Sequence, residues 1–444
     1  MKSVFLEKSL GLDIREDSIA LTLIGKKLRI AEVLAGEFID LKLLTGKDEK
    51  AEKHFLNEVN RFLIEHNTWP ESVAVSLPRS LVMFKTFELP APDIKAVHAM
   101  VEFELERHFS SGLEDLYYTY QLTQKPGNIF HIASAAIKKE IAGYYLELIQ
   151  KLNLKPTVLD IPTFSNSSLA LPLVSEDSSV TALIDISPRA LEIILIKKGA
   201  IEFSRNSTWE KINIKDVYSG KENSSPQLDD LSKTLSKIII DELEQALSSC
   251  RSLEENESIE HIFIVGGGPL ATRVIKHIEK ETEVSTQPIS VPDSVSPSLP
   301  DSFSPHQMMT ALSLALRDFR KQAIKTNLLP QNLRPKRSKA SPKKSLALAA
   351  TVLLFLAGWI GNQVYYNNKT LESLNGQLEE IKGEVSNLEK IDLEYISIQK
   401  YVDILNTIDK QYPAKLPLLG RLNQSLPMDT WLTNIKFQNL FNFF

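Results

Sequence analysis

Two stretches of this chain, "DIREDSIALTLI" from Asp13 and "DISPRALEIILI" from Asp185, follow one pattern. Each opens on Asp-Ile and crosses a short polar turn. Apolar side chains then stand six, eight and ten positions after the aspartate: Ile19, Leu21 and Leu23 in the first, Leu191, Ile193 and Leu195 in the second. A period of two is the signature of a half-buried strand, so each stretch reads as a β-hairpin. Each continues through a lysine-marked turn, "GKK" or "KKG", into another strand. A duplicated subdomain accounts for the repetition, against the alternative of two unrelated hairpins.

Around these hairpins the first 322 residues alternate strand-like and helix-like runs. "SVAVSL", "LVMFKTF", "IFHIASAAI", "KPTVLDI", "VTALIDI", "LEIILI" and "HIFIVGG" are apolar and bounded by charged, Gly or Pro positions. Helical periodicity covers 93–109, 138–152, 228–253 and 270–281, which predicts an α/β domain with a mixed sheet. The Ser- and Pro-rich stretch 283–305 is expected to be an exposed loop with little regular structure, and "HQMMTALSLALRDFRKQ" a final helix that closes the domain.

A chain of 444 residues is more than one hydrophobic core supports, so at least two folded parts are expected. The net charge of -5 leaves no basic excess to neutralise phosphates and argues against nucleic acid as a partner. A single cysteine, Cys250, excludes an intramolecular disulfide and a cysteine zinc site and fits a reducing compartment. P-loop, G-x-S-x-G and H-E-x-x-H motifs are absent, and the histidines form no ligand-spaced pair, so neither a catalytic set nor a metal site is predicted.

One segment breaks the soluble pattern. From Ser345 to Asn368 there is no charge, and the apolar heart runs from Leu346 to Ile360. A bilayer core needs roughly 20 helical residues, so this length spans; the alternative is a buried core helix. "RPKRSKASPKK" lies upstream, and Trp359, Tyr365 and Tyr366 gather toward the far end, which places the N-terminal side in the cytoplasm and the C-terminal side across the membrane. The first residues offer no secretory apolar run, which fits that orientation. Beyond the span, Leu371, Leu374, Leu378, Ile381, Val385 and Leu388 alternate spacings of three and four, a heptad seam with Gly376 and Gly383 on the outer face. A lone amphipathic helix is the alternative. After Pro413 come a short helix, a turn and an alternating strand. The expected parts are a domain over 1–322, a linker over 323–344, a membrane helix over 345–366, a coiled coil over 367–412 and an incomplete terminal segment over 413–444.

Two aspartate hairpins and the glycine-rich "IFIVGGGPL" are the parts of an actin-like ATPase fold. There the turn amides would surround phosphate, Asp13 and Asp185 would hold Mg²⁺ through water, and Gly266, Gly267 and Gly268 would let backbone approach a nucleoside. With "SLPRSLVMFKTFELP", "VEFELERHF", "LEDLYYTY" and "ALSLALRDF", in this order, the domain resembles PilM and the cytoplasmic domain of GspL, actin-like components of type IV pilus and type II secretion platforms. The resemblance implies a duplicated actin-like domain. Where the family has glycine after Asp-Ile, this chain has Arg15 and Ser187, and the paired glycines after the second hairpin are replaced near "RNSTW". A side chain in such a turn restricts it and takes up the phosphate's space, although arginine can also attract phosphate. The expectation is a vestigial nucleotide site and a protein that is not an enzyme. No cofactor is required on this reading, with ATP and Mg²⁺ the only ones its frame suggests.

The second half resembles PilN. "TNLLP", with Asn327, Leu328, Leu329 and Pro330, matches the motif that in the pilus family docks in a groove of PilM, and the membrane helix, coil and "LNQSLPMDTWLTNIKF" follow in PilN order. The six steps from Lys321 to Asn327 reach about 20 Å, so docking within the chain, docking on a neighbouring copy and an exposed turn all stay open. The PilN resemblance implies a ferredoxin-like terminal domain, of which this sequence supplies one helix and one strand. The implied role is an inner-membrane scaffold, GspL-like or a PilM–PilN fusion. Its implied partners are a GspE- or PilB-like ATPase, a GspM- or PilO-like coil, a platform protein and a further copy or heterodimer partner. A membrane-associated actin-like ATPase resembling FtsA is the reading from another class.

Overall fold

A computed structural model describes residues 5, 7–27, 30–42, 44, 48–109, 112–174, 180–209, 214, 217, 225–250, 252–253, 257–319, 323–335, 342–411, 415–427, 430–431 and 433–436. It falls into two units, Met1–Lys336 and Arg337–Phe444.

In the first unit the chain lays down β1 (Glu7–Ile14), β2 (Ser18–Lys27) and β3 (Ile30–Asp40), then α1 (Glu49–Glu65) and β4 (Ser72–Ser76). An excursion follows, with β5 (Met83–Pro90), α2 (Ile94–His108), β6 (Leu116–Lys125) and β7 (Ile129–Lys138), before α3 (Lys139–Lys151), β8 (Val158–Asp160) and α4 (Pro162–Ala170). The second half repeats the opening: β9 (Val180–Ile186), β10 (Ala190–Lys197), β11 (Ala200–Thr208), α5 (Ser225–Ser249), β12 (Ile259–Gly266), α6 (Ala271–Thr282) and β13 (Ser285–Pro288), closed by α7 (Pro305–Ala315).

The two five-stranded sheets have the same plan. One runs β3-β2-β1-β4-β8 and the other β11-β10-β9-β12-β13, and the excursion adds a three-stranded sheet, β5-β7-β6. Correspondence extends to register. Asp13 faces Ala20 and Ile14 faces Ile19, while Asp185 faces Glu192 and Ile186 faces Leu191. Both second strands slip register at matching places on their third strands, between Leu23 and Ile24 and between Leu195 and Ile196. Such bulges set local twist and are features of a fold rather than accidents. The hairpins are therefore one unit used twice, each within a mixed sheet of its own.

Helix α7 is wedged between the halves and is buried from Met308 to Ala315. It contacts β1, β2, β4 and β12, a central position that the expectation of a closing helix did not include. The approach is close because β1 carries Gly11: a Cβ there would meet the Ala311 carbonyl oxygen at 1.8 Å. The Ser- and Pro-rich stretch also departs from expectation. It contains β13 and buries Ile289, Val295 and Phe303, and its backbone bonds to the free edge of β3 through Ala31 N–H to Ser294 O (2.9 Å) and Ser296 N–H to Ala31 O (2.7 Å). Polar composition hid this because the apolar residues are spaced too widely for a periodic signal, while the edge itself demands hydrogen-bond partners.

The second unit is a continuous helix, α8 (Pro342–Gln411), followed by α9 (Lys415–Ser425). Among the described residues no helix is long and apolar enough to cross a membrane, and the expected span 345–366 opens on residues 345–349, whose side chains lie outside that description. The expected terminal strand is not formed at residues 430, 431 or 433–436, and 437–444 lie outside the described residues. Among the described residues the second unit holds no strand, and a strand with no neighbour leaves its backbone groups unpaired.

Candidate functional site: a cation between two aspartates

Asp13 and Asp185 stand one residue before the ends of the equivalent strands β1 and β9, both buried, and the structure brings them to one cleft. Between them lies the Arg15 guanidinium. Its Nε donates to Asp13 Oδ2 at 2.6 Å, its Nη1 pairs with Asp185 Oδ2 at 2.9 Å, and its Nη2 donates to Thr310 Oγ1 on α7 at 2.9 Å. Thr310 Oγ1 donates in turn to Asn166 Oδ1 (2.9 Å), and Asn166 Nδ2 to Asp185 Oδ2 (2.9 Å). Ser76 Oγ donates to Asp13 Oδ1 from β4. One guanidinium therefore ties both halves and the central helix into a closed ring of hydrogen bonds. Charge-assisted bonds of this kind are the strong ones.

The turns that hold Arg15 and Ser187 need no glycine. Neither residue has a positive φ, and both turns close alike, with Arg15 N–H donating to Ser18 O and Ser187 N–H to Ala190 O, each at 2.9 Å. The expectation that a side chain would restrict the turn is thus corrected, because the backbone is ordinary there and a Cβ costs nothing. The space taken by the side chain is another matter. Ser187 spends its hydroxyl on its own turn, with Ala190 N–H donating to its Oγ at 3.0 Å. In the glycine-rich turn Gly266, Gly267 and Gly268 all have positive φ, and a Cβ on Gly266 would stand 2.1 Å from the Ile186 oxygen. Gly267 N–H donates to that same oxygen at 2.9 Å. Bare backbone is required here to seat β12 against the second hairpin.

The electrostatics follow from one cation serving two buried carboxylates. Burial raises Asp185 to about 7, with Arg15 pulling it down and Asp13 and Glu192 pushing it up. Burial also opposes the Arg15 charge, but the Asp13 and Asp185 carboxylates outweigh it and hold the guanidinium above its ordinary value. Further links across the same boundary place a cation on the first half and a carboxylate on the second: Arg79 Nε to Glu192 Oε1 at 2.9 Å, and Lys125 Nζ to Glu202 Oε1 at 2.8 Å.

Mg²⁺ with a nucleotide does not fit these residues. A guanidinium sits between the two aspartates that would hold the metal, and the cleft has room for about one water, roughly 20 Å³. Ligand pockets are of order 300–1,000 Å³.

A second cluster surrounds the 327–330 segment, which is docked on its own domain. Leu328 N–H donates to Leu159 O of β8 at 2.8 Å. Asn327 is read from both sides: its Oδ1 accepts from Leu159 N–H (3.0 Å) and its Nδ2 donates to Thr157 O (3.1 Å). Its backbone N–H donates to Thr119 Oγ1 at 3.0 Å. Leu328 and Leu329 are buried, each worth about 1.5–3 kcal/mol. Pro330 ends the docked run, with Leu333 N–H closing a turn onto its carbonyl. Beneath the segment, Arg317 Nη1 pairs with buried Asp160 at 2.9 Å, and Asp160 Oδ1 accepts from Thr326 Oγ1 at 3.2 Å. Residues 323–335 thus pack on the domain instead of forming a free linker. Thr310, Asn166, Ser76, Asp160 and Arg317 were absent from the sequence reading, since single polar residues on apolar elements carry no local signal. The seam residues Leu371, Leu374, Leu378, Ile381, Val385 and Leu388 lie on α8, all exposed.

A duplicated pair of β-meander sheets with an aspartate hairpin at each switch point is the actin-like fold, here with a closed site. The family described as type IV pilus assembly protein PilM matches residues 11–218. Among solved structures, a PilM–PilN type IV pilus biogenesis complex is similar at 19% identity and a TM-score of 0.57, over 70% of this chain and 98% of that one. The cytoplasmic domain of EpsL, an inner-membrane component of the Vibrio cholerae type II secretion system, matches at 12% identity and a TM-score of 0.39, over 73% and 99%. A Bacteroides thetaiotaomicron protein with an actin-like ATPase fold matches at 9% identity and a TM-score of 0.37, over 69% and 95%. No curated protein matches the chain.

Proposed function

We propose that the chain is a non-enzymatic scaffold of an inner-membrane assembly platform, GspL-like in its single-chain plan. It recruits a cytoplasmic secretion ATPase through the actin-like domain and couples it to periplasmic partners through α8. The observation that carries this reading is Arg15 between Asp13 and Asp185, where catalysis would need a metal. Membrane passage over 345–366, N-terminus inside, is part of the proposal. It is supported by exposed Val352, Leu353, Leu354, Phe355, Trp359 and Ile360 on α8 and by the basic stretch upstream. A second reading, a PilM–PilN fusion of a type IV pilus, is favoured by the family match and by the docked Asn327–Pro330 segment.

Titrating Mg²⁺-ATP into the intact chain tests the scaffold reading. No saturation in the micromolar range is expected, and micromolar binding with turnover would overturn it. Capture of the intact chain from its native membrane separates the two machines, because the co-purifying ATPase belongs to one or the other.

A further inference from the structure

One rim of the first sheet mixes exposed apolar side chains with lysines. At the N-terminal ends of β1, β4 and β8, register sets Glu7 beside Lys26, Lys27 beside Ile30, Ser9 beside Ser72 and Ala74 beside Val158. The α1–β4 turn, which carries Trp69, and the α3–β8 turn, which carries Lys155, are therefore neighbours. They meet where Ser72 Oγ and Thr157 Oγ1 stand 3.0 Å apart. Along this rim Ile30 is 50% exposed, Trp69 59% and, at the end of α1, Ile64 63%. Lys155 is exposed, Lys26 Nζ lies 5.4 Å from the centre of the Phe319 ring, Lys27 pairs with Glu32, and Lys8 Nζ donates to Thr68 Oγ1 at 2.7 Å. The acids interspersed with them are Glu7, Glu32 and Glu71. A tryptophan set among lysines suits a lipid headgroup layer, because each side chain presents an apolar body and a polar tip.

The course of the chain says what covers this rim. The docked segment leaves the domain here, where Leu333 and Pro335 line a groove with Asn153, Leu154 and Lys155 of the α3–β8 turn. From Pro335 to Ser345, where the uncharged run begins, ten steps give at most about 35 Å of extended chain. A domain of this size has a radius of gyration of about 20 Å and a diameter of about 50 Å. A span that begins at Ser345 therefore keeps the exit rim near the bilayer, and the tether is too short to bring the opposite end of the domain there. The tether is also basic, with Lys336, Arg337, Lys339, Lys343 and Lys344 and no acid, so anionic headgroups draw it in. The excursion departs from the other end of β4, beyond Ser76, which sets Phe103 on α2 apart from the rim.

We infer that this rim is a membrane-docking face: Ile30, Ile64 and Trp69 enter the headgroup layer of an anionic bilayer, with Lys26 and Lys155 on lipid phosphates. The inference rests on the membrane passage over 345–366 proposed above and adds which face of the domain meets the lipid.

The test uses the full chain with Cys250→Ser, reconstituted in nanodiscs of brominated lipid, with a bimane fluorophore on one introduced cysteine at a time. In a phosphatidylglycerol bilayer the I30C and W69C labels should be quenched at least about twofold more than an F103C label. About 0.5 M salt, a phosphatidylcholine bilayer or the added changes K26E/K155E should each reduce that difference. A W359C label reports the passage itself and should be quenched in every bilayer. If W359C is quenched but I30C and W69C are not, or if F103C is quenched equally, the docking face is overturned while the passage stands. Quenching of I30C and W69C that ignores salt, lipid charge and K26E/K155E overturns the role of the lysines. An unquenched W359C overturns the passage, and the docking face with it.

Discussion

The two aspartate hairpins share strand register and even the position of a bulge, yet the residue that follows Asp-Ile does opposite things in them. Ser187 satisfies its own turn and goes no further. Arg15 leaves an identical turn and reaches the carboxylate of the other hairpin. The two turns share one backbone, and a single side chain makes an asymmetric clamp of them.

The sharpest way to break this comparison is to remove the clamp. Arg15→Met leaves two buried carboxylates without their cation and should cost about 3–5 kcal/mol in urea unfolding of the full chain. A loss below about 1 kcal/mol would mean that packing and the other ion pairs across the boundary hold the halves without Arg15.

Next in size is the response to pH. Folded Asp185 keeps its proton to about 7, against an ordinary 3.8. Between those values the folded chain holds a proton that the unfolded chain releases, so stability falls as pH rises through the window. The expected fall is about 2–4 kcal/mol from this group. Asp185→Asn should flatten that part of the stability profile, and an unchanged slope would place the proton elsewhere.

The glycine turn sharpens the comparison from the other half. Gly266→Ala imposes a side chain at a φ of +80° and against the Ile186 oxygen, and should cost about 2–3 kcal/mol. Smallest is Ser187→Ala, which removes a turn hydrogen bond and should cost about 0.5–1.5 kcal/mol. If the last two changes matched Arg15→Met, the asymmetry would lie in the backbone and not in Arg15.

The same differences separate what a local stretch of sequence displays from what only the folded chain brings together. The hairpins were legible because alternation at Ile19, Leu21 and Leu23 is a local property of a strand with one buried face. Asp13, Asp185 and Gly266 do meet at one cleft, whereas Gly267 and Gly268 are not among the residues that line it. That Arg15 clamps the halves was not legible, because Thr310 stands 295 residues away and only the seating of α7 on Gly11 brings it near. The strand in the Ser- and Pro-rich stretch was missed for a related reason: its pairing is dictated by an open sheet edge, which no window of local sequence displays.

The docked Asn327–Pro330 segment has a consequence for competition. A ligand tethered to its own receptor acts at an effective concentration in the millimolar range. A free segment of the same sequence on a neighbouring molecule, present at micromolar levels, would be outcompeted about a thousandfold at equal intrinsic affinity. The groove beside β8 is therefore insulated from crosstalk by covalent connectivity, and a rival must win by chemistry, since it cannot win by abundance.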